Sequence, residues 1–423
     1  MRSSSQTAPA RNLDQWLEYI TATHPSEIEM GLARVRSVAA RMQLLKPAPR
    51  SVIVAGTNGK GTTCVCLEQI LVAAGLRVGC TLSPHVHAFN ERVRINGRDL
   101  DDSPLCAAFE AVEFAREDTP LTYFEFTTLV ALFAFREAEV DIAILEVGLG
   151  GRLDAFNVVD ADVGIITSIG IDHTEYLGDN VEVIGGEKAG VLRSGQHIVL
   201  GPGLPQSVLR RAAELTDTVS ELDRNVFYAR AADSAWSLRF QDQLFDDLPV
   251  ARLPLGNCAL AIVAAHSLTT IDHVTVSRAL RNAWLPGRLE SFDAYDRTWL
   301  VDVAHNPLAA QFLQNELALR GLGHNVVAVF GALRDKDVSA MLSALDTVVR
   351  DWVVVDAPSA RGLSASELAV HFEGLSATMA GSLDNGFEVA RSLTECGDVI
   401  LVFGSFGIAG SARRSLALVT RDE

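Results

Sequence analysis

The spacing of apolar residues predicts two amphipathic helices near the start of the chain. Leu13, Trp16, Leu17 and Ile20 fall on one helical face, and Asn12 is a suitable N-cap for that helix. A second stretch at helical spacing carries Ile28, Leu32, Val35 and Met42. Residues 1–10 lack such a pattern, and we expect them to form a disordered tail.

Beyond residue 50, the pattern predicts short strands that alternate with helices. Strands are predicted at Ser51–Val54, Arg77–Leu82, Asp141–Leu145 and Asp162–Thr167. Helices are predicted at Lys60–Ala74, ended by Gly75, from a cap at Ser103-Pro104, at Phe124–Phe135 and from near Asn180. Asn96-Gly97 indicates a hairpin between Arg92 and Leu100. Strands that are apolar throughout are typical of a parallel sheet covered on both faces.

The pattern breaks around Leu285-Pro286-Gly287-Arg288 and then restarts as a second series. Strands are predicted at Thr298–Val303, Val326–Phe330, Trp352–Asp356 and Val399–Phe403. Helices are predicted between them at Leu308–Arg320, Val338–Leu345, Ser364–Phe372 and Gly386–Glu395. The sequence therefore predicts an α/β protein with two domains, at 11–287 and 288–423.

Composition narrows the classes of partner. Of 423 residues, 48% are apolar and 21% are charged, which is typical of a globular protein, and the formal net charge is −17. A field of that sign repels nucleic acid, and no basic run offsets it. No apolar run approaches the length of a membrane helix, and the N-terminus lacks the apolar core of a signal peptide. We therefore expect no nucleic acid, no membrane and a cytoplasmic location.

The six cysteines do not form a metal-binding pattern. Cys64 and Cys66 are too close in sequence for a zinc knuckle, and the sequence has no second closely spaced cysteine pair. In a chain of this length we interpret all six as buried thiols of a reducing compartment. The others are Cys80, Cys106, Cys258 and Cys396.

A glycine-rich segment joins the first predicted strand to a helix. Residues 55–62 read Ala-Gly-Thr-Asn-Gly-Lys-Gly-Thr. Glycines let backbone N–H groups face an anion, the helix N-terminus adds a positive dipole, and Lys60 adds a charge. The strict phosphate-loop pattern is only nearly matched, because Val54 and Gly61 occupy positions where Gly and Ser or Thr are usual. A structural turn is the alternative, but the strand–loop–helix context favours phosphate binding.

Three polar residues follow the ends of predicted strands. Ser83 follows Leu82, Glu146 follows Leu145, and His173 lies shortly after Thr167. Each alone has an ordinary structural explanation as a cap or a surface residue. In an open α/β sheet, however, the carboxyl ends of the strands share the edge that holds the phosphate loop. Two oxygen donors and one imidazole at that edge suit magnesium held jointly with phosphate. Lys188, by contrast, reads from composition alone as a solvated helix lysine.

Several segments in order resemble one family. They are GTNGKGT (56–62), SPH (83–85), NERV (90–93), TYFEFTT (122–128), EVGLGGRLDA (146–155), SIGIDHTEYLG (168–178), EKAG (187–190), PGRLE (286–290), DVAHNP (302–307) and FGSF (403–406). Together they resemble the folylpolyglutamate synthase family of the Mur ligase superfamily, and within it the bacterial bifunctional dihydrofolate synthase/folylpolyglutamate synthase group. The glycine loop is shared across the superfamily, whereas its combination with the other segments is specific.

The resemblance implies a role for many residues. The ATP site would comprise Thr57, Asn58, Gly59, Lys60, Gly61, Thr62, Asn257, Arg288 and Asp302. The metal ligands would be Ser83, Glu146, His173 and Lys188, the last as a carbamate, and the catalytic group would be Lys60, Lys188, His173 and Glu146. The pterin site would comprise Glu29, Met30, Gly31, Leu32, Thr122, Tyr123, Phe124, Glu125, Leu153, Asp154 and Ala155. His305 and Ser405 would bind glutamate.

The resemblance also implies the fold and the reaction. The N-terminal domain would be a P-loop-type ATPase domain with a mostly parallel sheet, and the smaller C-terminal domain would be Rossmann-like and close over ATP and glutamate. ATP and two Mg²⁺ ions would be required, with a monovalent cation such as K⁺ left open. A monomer would add L-glutamate to dihydropteroate and to reduced folates through an acyl phosphate.

Two other functions remain open at this point. One is a Mur-type ligase acting on a nucleotide-sugar acceptor, and the other is a nucleotide-binding regulatory protein without ligase activity. The family usually has Thr-Asn after LDA, whereas this chain has Phe156-Asn157. The acceptor preference is therefore also open.

Overall fold

The computed structural model describes residues 11–23, 29–232, 235–395 and 397–419. Within them, a large N-terminal sheet has eight strands in the order β4-β3-β2-β5-β1-β6-β7-β8. Its strands are β1 (Arg50–Ala55), β2 (Val78–Thr81), β3 (Val93–Ile95), β4 (Arg98–Asp99), β5 (Ile142–Glu146), β6 (Val163–Ile166), β7 (His197–Leu200) and β8 (Val219–Glu221). Only the pairs β2–β3 and β3–β4 are antiparallel. The predicted mostly parallel sheet is confirmed.

Helices cover both faces of this sheet. They are α1 (Leu13–Thr23), α2 (Ala33–Arg41), α3 (Lys60–Ala73), α4 (Asp102–Arg116), α5 (Tyr123–Glu137), α6 (Thr174–Leu177), α7 (Val181–Ala189), α8 (Gln206–Leu215), α9 (Leu255–Leu268) and α10 (His273–Asn282). One core packs α3, α9 and α10 against the sheet, and another packs α1, α2, α4 and α5. A third core beside β6 and β7 is covered by α8. Burial on both faces explains why the strands are apolar throughout.

A three-stranded antiparallel sheet was not predicted. It consists of β9 (Val226–Ala232), β10 (Ala235–Phe240) and β11 (Gln243–Pro249). Trp236, Leu238 and Phe240 alternate along β10 and enter the core beneath α9.

The C-terminal sheet has the order β12-β13-β17-β14-β15-β16. Its strands are β12 (Glu290–Ala294), β13 (Arg297–Val301), β14 (Val326–Phe330), β15 (Val349–Val355), β16 (Ala377–Gly381) and β17 (Val399–Phe403). The helices are α11 (Pro307–Leu319), α12 (Val338–Leu345), α13 (Ala365–Leu368), α14 (Leu383–Leu393) and α15 (Phe406–Val419). All strand pairs are parallel except β12–β13, and separate cores fill the two faces. The predicted second α/β sheet is confirmed.

Some predicted element bounds were wrong. The helix predicted from Ser103-Pro104 begins at Asp102, with Asp101 at the N-cap position. The helix predicted at Gly386–Glu395 begins earlier, at Leu383, because Ser382 accepts a hydrogen bond from Asn385 N as its cap. The stretch predicted as one helix at Ser364–Phe372 is α13 followed by a 3₁₀ turn at Ala369–Phe372. Further 3₁₀ turns lie at Phe89–Arg92 and Ala155–Val158.

Other predictions concern the chain termini and the thiols. Asn12 accepts a hydrogen bond from Gln15 N, which confirms it as the cap of α1. The tail, Ile28 and Cys396 lie outside the described residues. The described cysteines are free, and all are buried except Cys106, which is only partly so. None of the helices in the described ranges has the length and apolar character needed to span a lipid bilayer.

Candidate functional site

The glycine loop between β1 and α3 adopts a shape that its glycines require. Gly59 has φ +83° at the N-cap position of α3, a backbone conformation that favours glycine. A side chain at Gly56 would place its Cβ 1.9 Å from Thr167 Oγ1. The loop is therefore pressed against the segment that follows β6, and larger residues are excluded at both positions.

Some backbone N–H groups of the loop donate to protein acceptors, whereas others have no acceptor among the described residues. Thr57 N donates to Ser168 O at 2.7 Å, and Asn58 N donates to Ser168 Oγ at 3.1 Å. The first-turn amides from Gly59 to Thr62 have no acceptor in the described part of the chain. They point outward from a helix N-terminus, which is a suitable arrangement for an anion.

Lys60 folds back over this loop. Its Nζ donates to Gly56 O and Thr57 O, both at 3.1 Å. Asn257, on α9, closes the other side, because its Nδ2 donates to Gly59 O at 3.2 Å and to Thr63 Oγ1 at 3.0 Å. Residues from two segments far apart in sequence therefore meet at the loop.

Glu146 and Ser83 lie together at the carboxyl end of the sheet. Ser83 N donates to Glu146 Oε2 at 2.8 Å, and a Cβ on Gly61 would lie 3.4 Å from the same oxygen. Burial raises the pKa of Glu146 to about 6, although Lys60 and the Ser83 amide oppose the rise. An ionised carboxylate at this place is costly unless a cation offsets it, which makes Glu146 a suitable metal ligand.

His173 follows β6 and precedes α6 with φ +51°. Desolvation by the surrounding protein, together with the charges of Lys336 and Lys60, lowers its pKa to about 4, although Asp172 opposes this. The imidazole is therefore neutral at physiological pH, which is the form that ligates metals.

Lys188 is not the solvated lysine that composition suggested. Its side chain is buried on α7, and Nζ donates to Gly56 O at 2.9 Å. Burial lowers its pKa to about 7, and the charge of Lys60 acts in the same direction. Much of the amine is therefore uncharged near neutral pH.

Asp172 joins the two sheet domains. Its Oδ1 lies 2.6 Å from Lys336 Nζ, and its Oδ2 accepts from Asn306 Nδ2 at 2.9 Å and lies 3.6 Å from His305 Nε2. His305 and Lys336 hold the pKa of this carboxyl well below its usual range, against the effect of burial. Asn306 also exchanges two amide hydrogen bonds with Asn58 of the glycine loop, at 2.9 and 3.0 Å. The phosphate loop is thus bonded directly to the start of α11.

Arg288 and Asp302 lie at the junction of the two domains. Asp302 accepts from Leu289 N and Ala304 N, both at 2.7 Å, so its carboxylate holds two loops together. Arg288 lies with its guanidinium 5.6 Å from the ring centre of Phe406. The charge of Arg288 lowers the pKa of both Glu146 and Asp302 against the effect of burial.

The residues predicted for the pterin side come from three segments. Thr122 caps α5 in a reciprocal capping box with Glu125, and Glu125 pairs with Arg34 at 3.2 Å. Asp154 is buried and accepts from the amides of Gly148, Leu149 and Phe156. Burial raises the pKa of Asp154 to about 6.

These three segments are linked through contacts that include their immediate sequence neighbours. Phe124 meets the ring of Phe156 edge-on, at 5.8 Å between centres. Arg34 contacts Glu29, and a Cβ on Gly150 would lie 3.6 Å from Met30 Cε. Of the remaining residues predicted for the pterin site, Ala155 is buried, and four are partly buried: Gly31, Leu32, Tyr123 and Leu153.

Ser405 and His305 lie at the other side of the junction. Ser405 Oγ accepts from Ile408 N at 3.1 Å, so the hydroxyl caps α15. His305 Nδ1 contacts Val303 O at 2.8 Å, and its ring centre lies 5.6 Å from that of Phe406.

Lys60 interacts electrostatically with the other three predicted catalytic residues. Its charge affects the pKa of Glu146, His173 and Lys188. Among the described residues, no group of three or more His, Cys, Asp or Glu side chains is placed to hold a metal ion alone. A magnesium ion here would need phosphate oxygens or water as additional ligands, which is its usual mode of binding.

Sequence reasoning missed Asp172, Asn306 and Lys336. Asp172 and Asn306 lie within segments that were singled out, but only the neighbouring histidines were assigned a role. Lys336 gave no sequence signal, because its burial depends on the contact between the two domains.

Two family models match the chain. The Mur ligase middle domain matches residues 54–194, and the Mur ligase, glutamate ligase domain matches residues 287–406. These ranges contain the glycine loop and the C-terminal sheet, respectively.

Relatives match over nearly the whole chain. The dihydrofolate synthase/folylpolyglutamate synthase of Haemophilus influenzae is 39% identical over 417 residues, covering 93% of this chain and 95% of the relative. The Escherichia coli FolC structure with DHPP and ADP is 39% identical, with a TM-score of 0.92 over 98% of this chain and 99% of that one. The Yersinia pestis bifunctional enzyme complexed with AMPPNP and Mn ion is 43% identical, with a TM-score of 0.90 over 97% of this chain and 100% of that one. The chain belongs to the dihydrofolate synthase/folylpolyglutamate synthase family of Mur ligases.

Proposed function

We propose that this protein is an ATP- and divalent-metal-dependent ligase that adds L-glutamate to dihydropteroate and to reduced folates, with release of ADP and phosphate. The observation that carries the proposal is the convergence on Lys60. Lys60 and Lys188 both donate to Gly56 O of the phosphate-shaped loop, a Cβ on Gly61 of the same loop would lie 3.4 Å from buried Glu146, and the charge of Lys60 affects the pKa of Glu146, His173 and Lys188. Family membership supports the same reaction.

The chemistry requires activation of a carboxylate. The acceptor carboxylate is a poor acylating agent, because its leaving group would be oxide. Transfer of the γ-phosphoryl group of ATP to it gives an acyl phosphate, and the amine of glutamate then attacks the carbonyl carbon and releases phosphate. Such catalysis depends mainly on positioning and on neutralising charge.

We assign nucleotide binding to the loop and to the domain junction. The outward amides from Gly59 to Thr62 and the Lys60 ammonium would contact phosphate oxygens. Because Thr57 and Asn58 already use their amides on Ser168, they would act by holding the shape of the loop. Asn257, Arg288 and Asp302 would complete the ATP site.

We assign metal binding to Ser83, Glu146, His173 and carbamylated Lys188. The fit rests on the buried carboxylate of Glu146 and on the low pKa of Lys188, which leaves an amine able to react with carbon dioxide. Carbamylation converts that amine into an anionic oxygen ligand. Bound magnesium would neutralise charge on the phosphate groups. A requirement for K⁺ remains a prediction.

The acceptor would lie against the pterin-side segments, and glutamate would enter from the other domain near His305 and Ser405. Phe156 packs edge-on against Phe124, which belongs to the predicted pterin side. Closure of the C-terminal domain would exclude water from the acyl phosphate. The cross-domain bonds of Asp172 and Asn306 support such a closed arrangement.

We also propose a domain boundary, an oligomeric state and a cellular location for the protein. We place the domain boundary at residues 287 and 288, between the two sheets. We expect the protein to act as a monomer. The free thiols support a reducing, cytoplasmic location, and the net charge of −17 disfavours nucleic acid and anionic membranes.

A parallel assay tests the proposal. Purified protein is incubated with ATP, Mg²⁺ and L-glutamate, and with dihydropteroate, tetrahydrofolate or a muramyl acceptor. We expect ADP release that depends on glutamate with the first two acceptors only. Activity with the muramyl acceptor alone, or ATP binding with no glutamate-dependent ADP release, would overturn it.

A further inference from the structure

Arg92, in the NERV segment, belongs to none of the predicted ATP, metal, pterin or glutamate sites. It ends the 3₁₀ turn Phe89–Arg92, just before β3. Arg92 O accepts from Leu82 N at 3.2 Å, so its backbone lies opposite the residue that precedes Ser83. Arg92 is therefore attached to the edge of the sheet at which Ser83 and Glu146 meet.

The side chain of Arg92 is largely buried and has no carboxylate partner in the described ranges. Its Nε donates to His85 Nδ1 at 2.9 Å, and its guanidinium lies 5.7 Å from the ring centre of Tyr123. The two terminal nitrogens, Nη1 and Nη2, donate to no acceptor among the described residues.

Arg94, two residues later, shows what a structural arginine looks like in the same strand. Its guanidinium bonds Glu68 at 2.9 Å and Asp99 at 2.7 Å, and it also donates to Gly97 O. Every nitrogen of Arg94 therefore has an acceptor within the protein. The contrast indicates that Arg92 is directed at something other than the protein.

The surroundings of Arg92 indicate the charge of that ligand. Burial disfavours the cation and lowers the pKa of Arg92, whereas Tyr123, Glu146 and Glu91 oppose this through charge alone, without a hydrogen bond to the guanidinium. Two terminal nitrogens with free N–H groups in a fixed plane match the two oxygens of a carboxylate. Tyr123, beside the guanidinium, belongs to the acceptor side, whereas His305 and Ser405 lie on the other domain.

We propose that Arg92 binds the reacting carboxylate of the pterin acceptor through Nη1 and Nη2 and directs it toward the Ser83–Glu146 edge. His85 is a positioning residue, because it fixes the guanidinium through Nε. The inference rests on the proposed function, since it assumes a pterin acid as acceptor. It also explains selectivity, because a neutral acceptor would leave the two donors unsatisfied.

The test compares a charged and a neutral ligand. Dihydropteroate and its primary amide are titrated into wild-type protein and into Arg92→Ala, Arg92→Lys and Arg98→Ala in the presence of ADP. Arg98 is exposed on the adjoining hairpin and serves as the matched control. ADP affinity reports whether each variant is folded, and Arg92→Gln replaces the alanine variant if that one is not.

We expect Arg92→Ala to weaken binding of the acid by about 10- to 100-fold, which is typical of a charge-assisted hydrogen bond, and to leave amide binding within about 2-fold. Arg92→Lys should fall between, because lysine keeps the charge without the planar pair of donors. In turnover, the KM for the acceptor should rise while those for ATP and glutamate stay constant. Equal effects on acid and amide, or no effect on either, would overturn the inference. If wild-type protein binds neither ligand, the proposed function itself fails.

Discussion

The uncharged state of Lys188 gives a quantitative prediction about carbamylation. Burial and the charge of Lys60 lower its pKa from 10.5 to about 7. Lowering the pKa this far corresponds to about 5 kcal/mol between the two protonation states. At neutral pH about half of Lys188 is then uncharged, compared with roughly one in 3,000 for an ordinary lysine. Since only the neutral amine attacks carbon dioxide, Lys188 should be carbamylated selectively.

Labelling with ¹³C-bicarbonate allows the carbamate on Lys188 to be detected. We expect ¹³C NMR of the ligand-free protein in ¹³C-bicarbonate to show a carbamate resonance that Lys188→Ala abolishes and that the exposed-residue control Lys46→Ala retains. The resonance should weaken as pH falls through about 7, because protonation of the amine competes with carbamylation. The signal is lost near pH 7, and not at a higher pH, because the pKa of Lys188 is lowered. An ordinary lysine would require far more alkaline conditions.

Activity should follow the carbamate. We expect Lys188→Ala to lower kcat by about 100-fold or more, as for loss of one electrostatic group at a reacting centre, with partial rescue by a small added carboxylate. Near-normal turnover of Lys188→Ala, or a wild-type spectrum without the resonance, would refute this reasoning.

Three further substitutions separate the roles of neighbouring groups. Lys60→Ala should weaken ATP binding in calorimetry far more than acceptor binding, because Lys60 lies on the phosphate loop, and equal loss of both would discredit that assignment. Glu146→Gln should stabilise the ligand-free protein at pH 8 by up to about 2 kcal/mol in thermal unfolding, since burial raises the pKa of Glu146 to about 6, while metal-dependent turnover is lost; a destabilised variant would contradict this. Lys336→Met should cost about 3–5 kcal/mol, seen as a lower Tm, because it leaves buried Asp172 without its cation. The double variant Asp172→Asn/Lys336→Met should recover most of that loss, and an additive double variant would argue against the pair.

The predictability of the fold differs between its parts. The parallel strands were recognisable because burial on both faces demands continuous apolar runs, as at Val326–Phe330, whose bounds were predicted as observed. The β9–β11 sheet was missed because its strands are half exposed and are interrupted by charged residues such as Asp246 and Asp247. Helix starts shifted where a serine cap such as Ser382 lay upstream of the apolar pattern.

Candidate site residues could be predicted from the sequence where a polar residue directly follows a predicted strand. Glu146 and Ser83 were assigned on that basis, and they share a hydrogen bond. Lys188 could not be interpreted from its own segment, because its burial arises when α7 packs beside Gly56. The cross-domain bonds of Asn306 and Lys336 likewise depend on how the two domains meet, which no local pattern encodes.

The central claim is that the acceptor carboxylate is itself phosphorylated. Dihydropteroate labelled with ¹⁸O in its carboxylate, turned over with ATP, Mg²⁺ and glutamate, tests this directly by mass spectrometry of the released phosphate. We expect one ¹⁸O atom in each phosphate formed. Phosphate without label, or label in AMP, would contradict it.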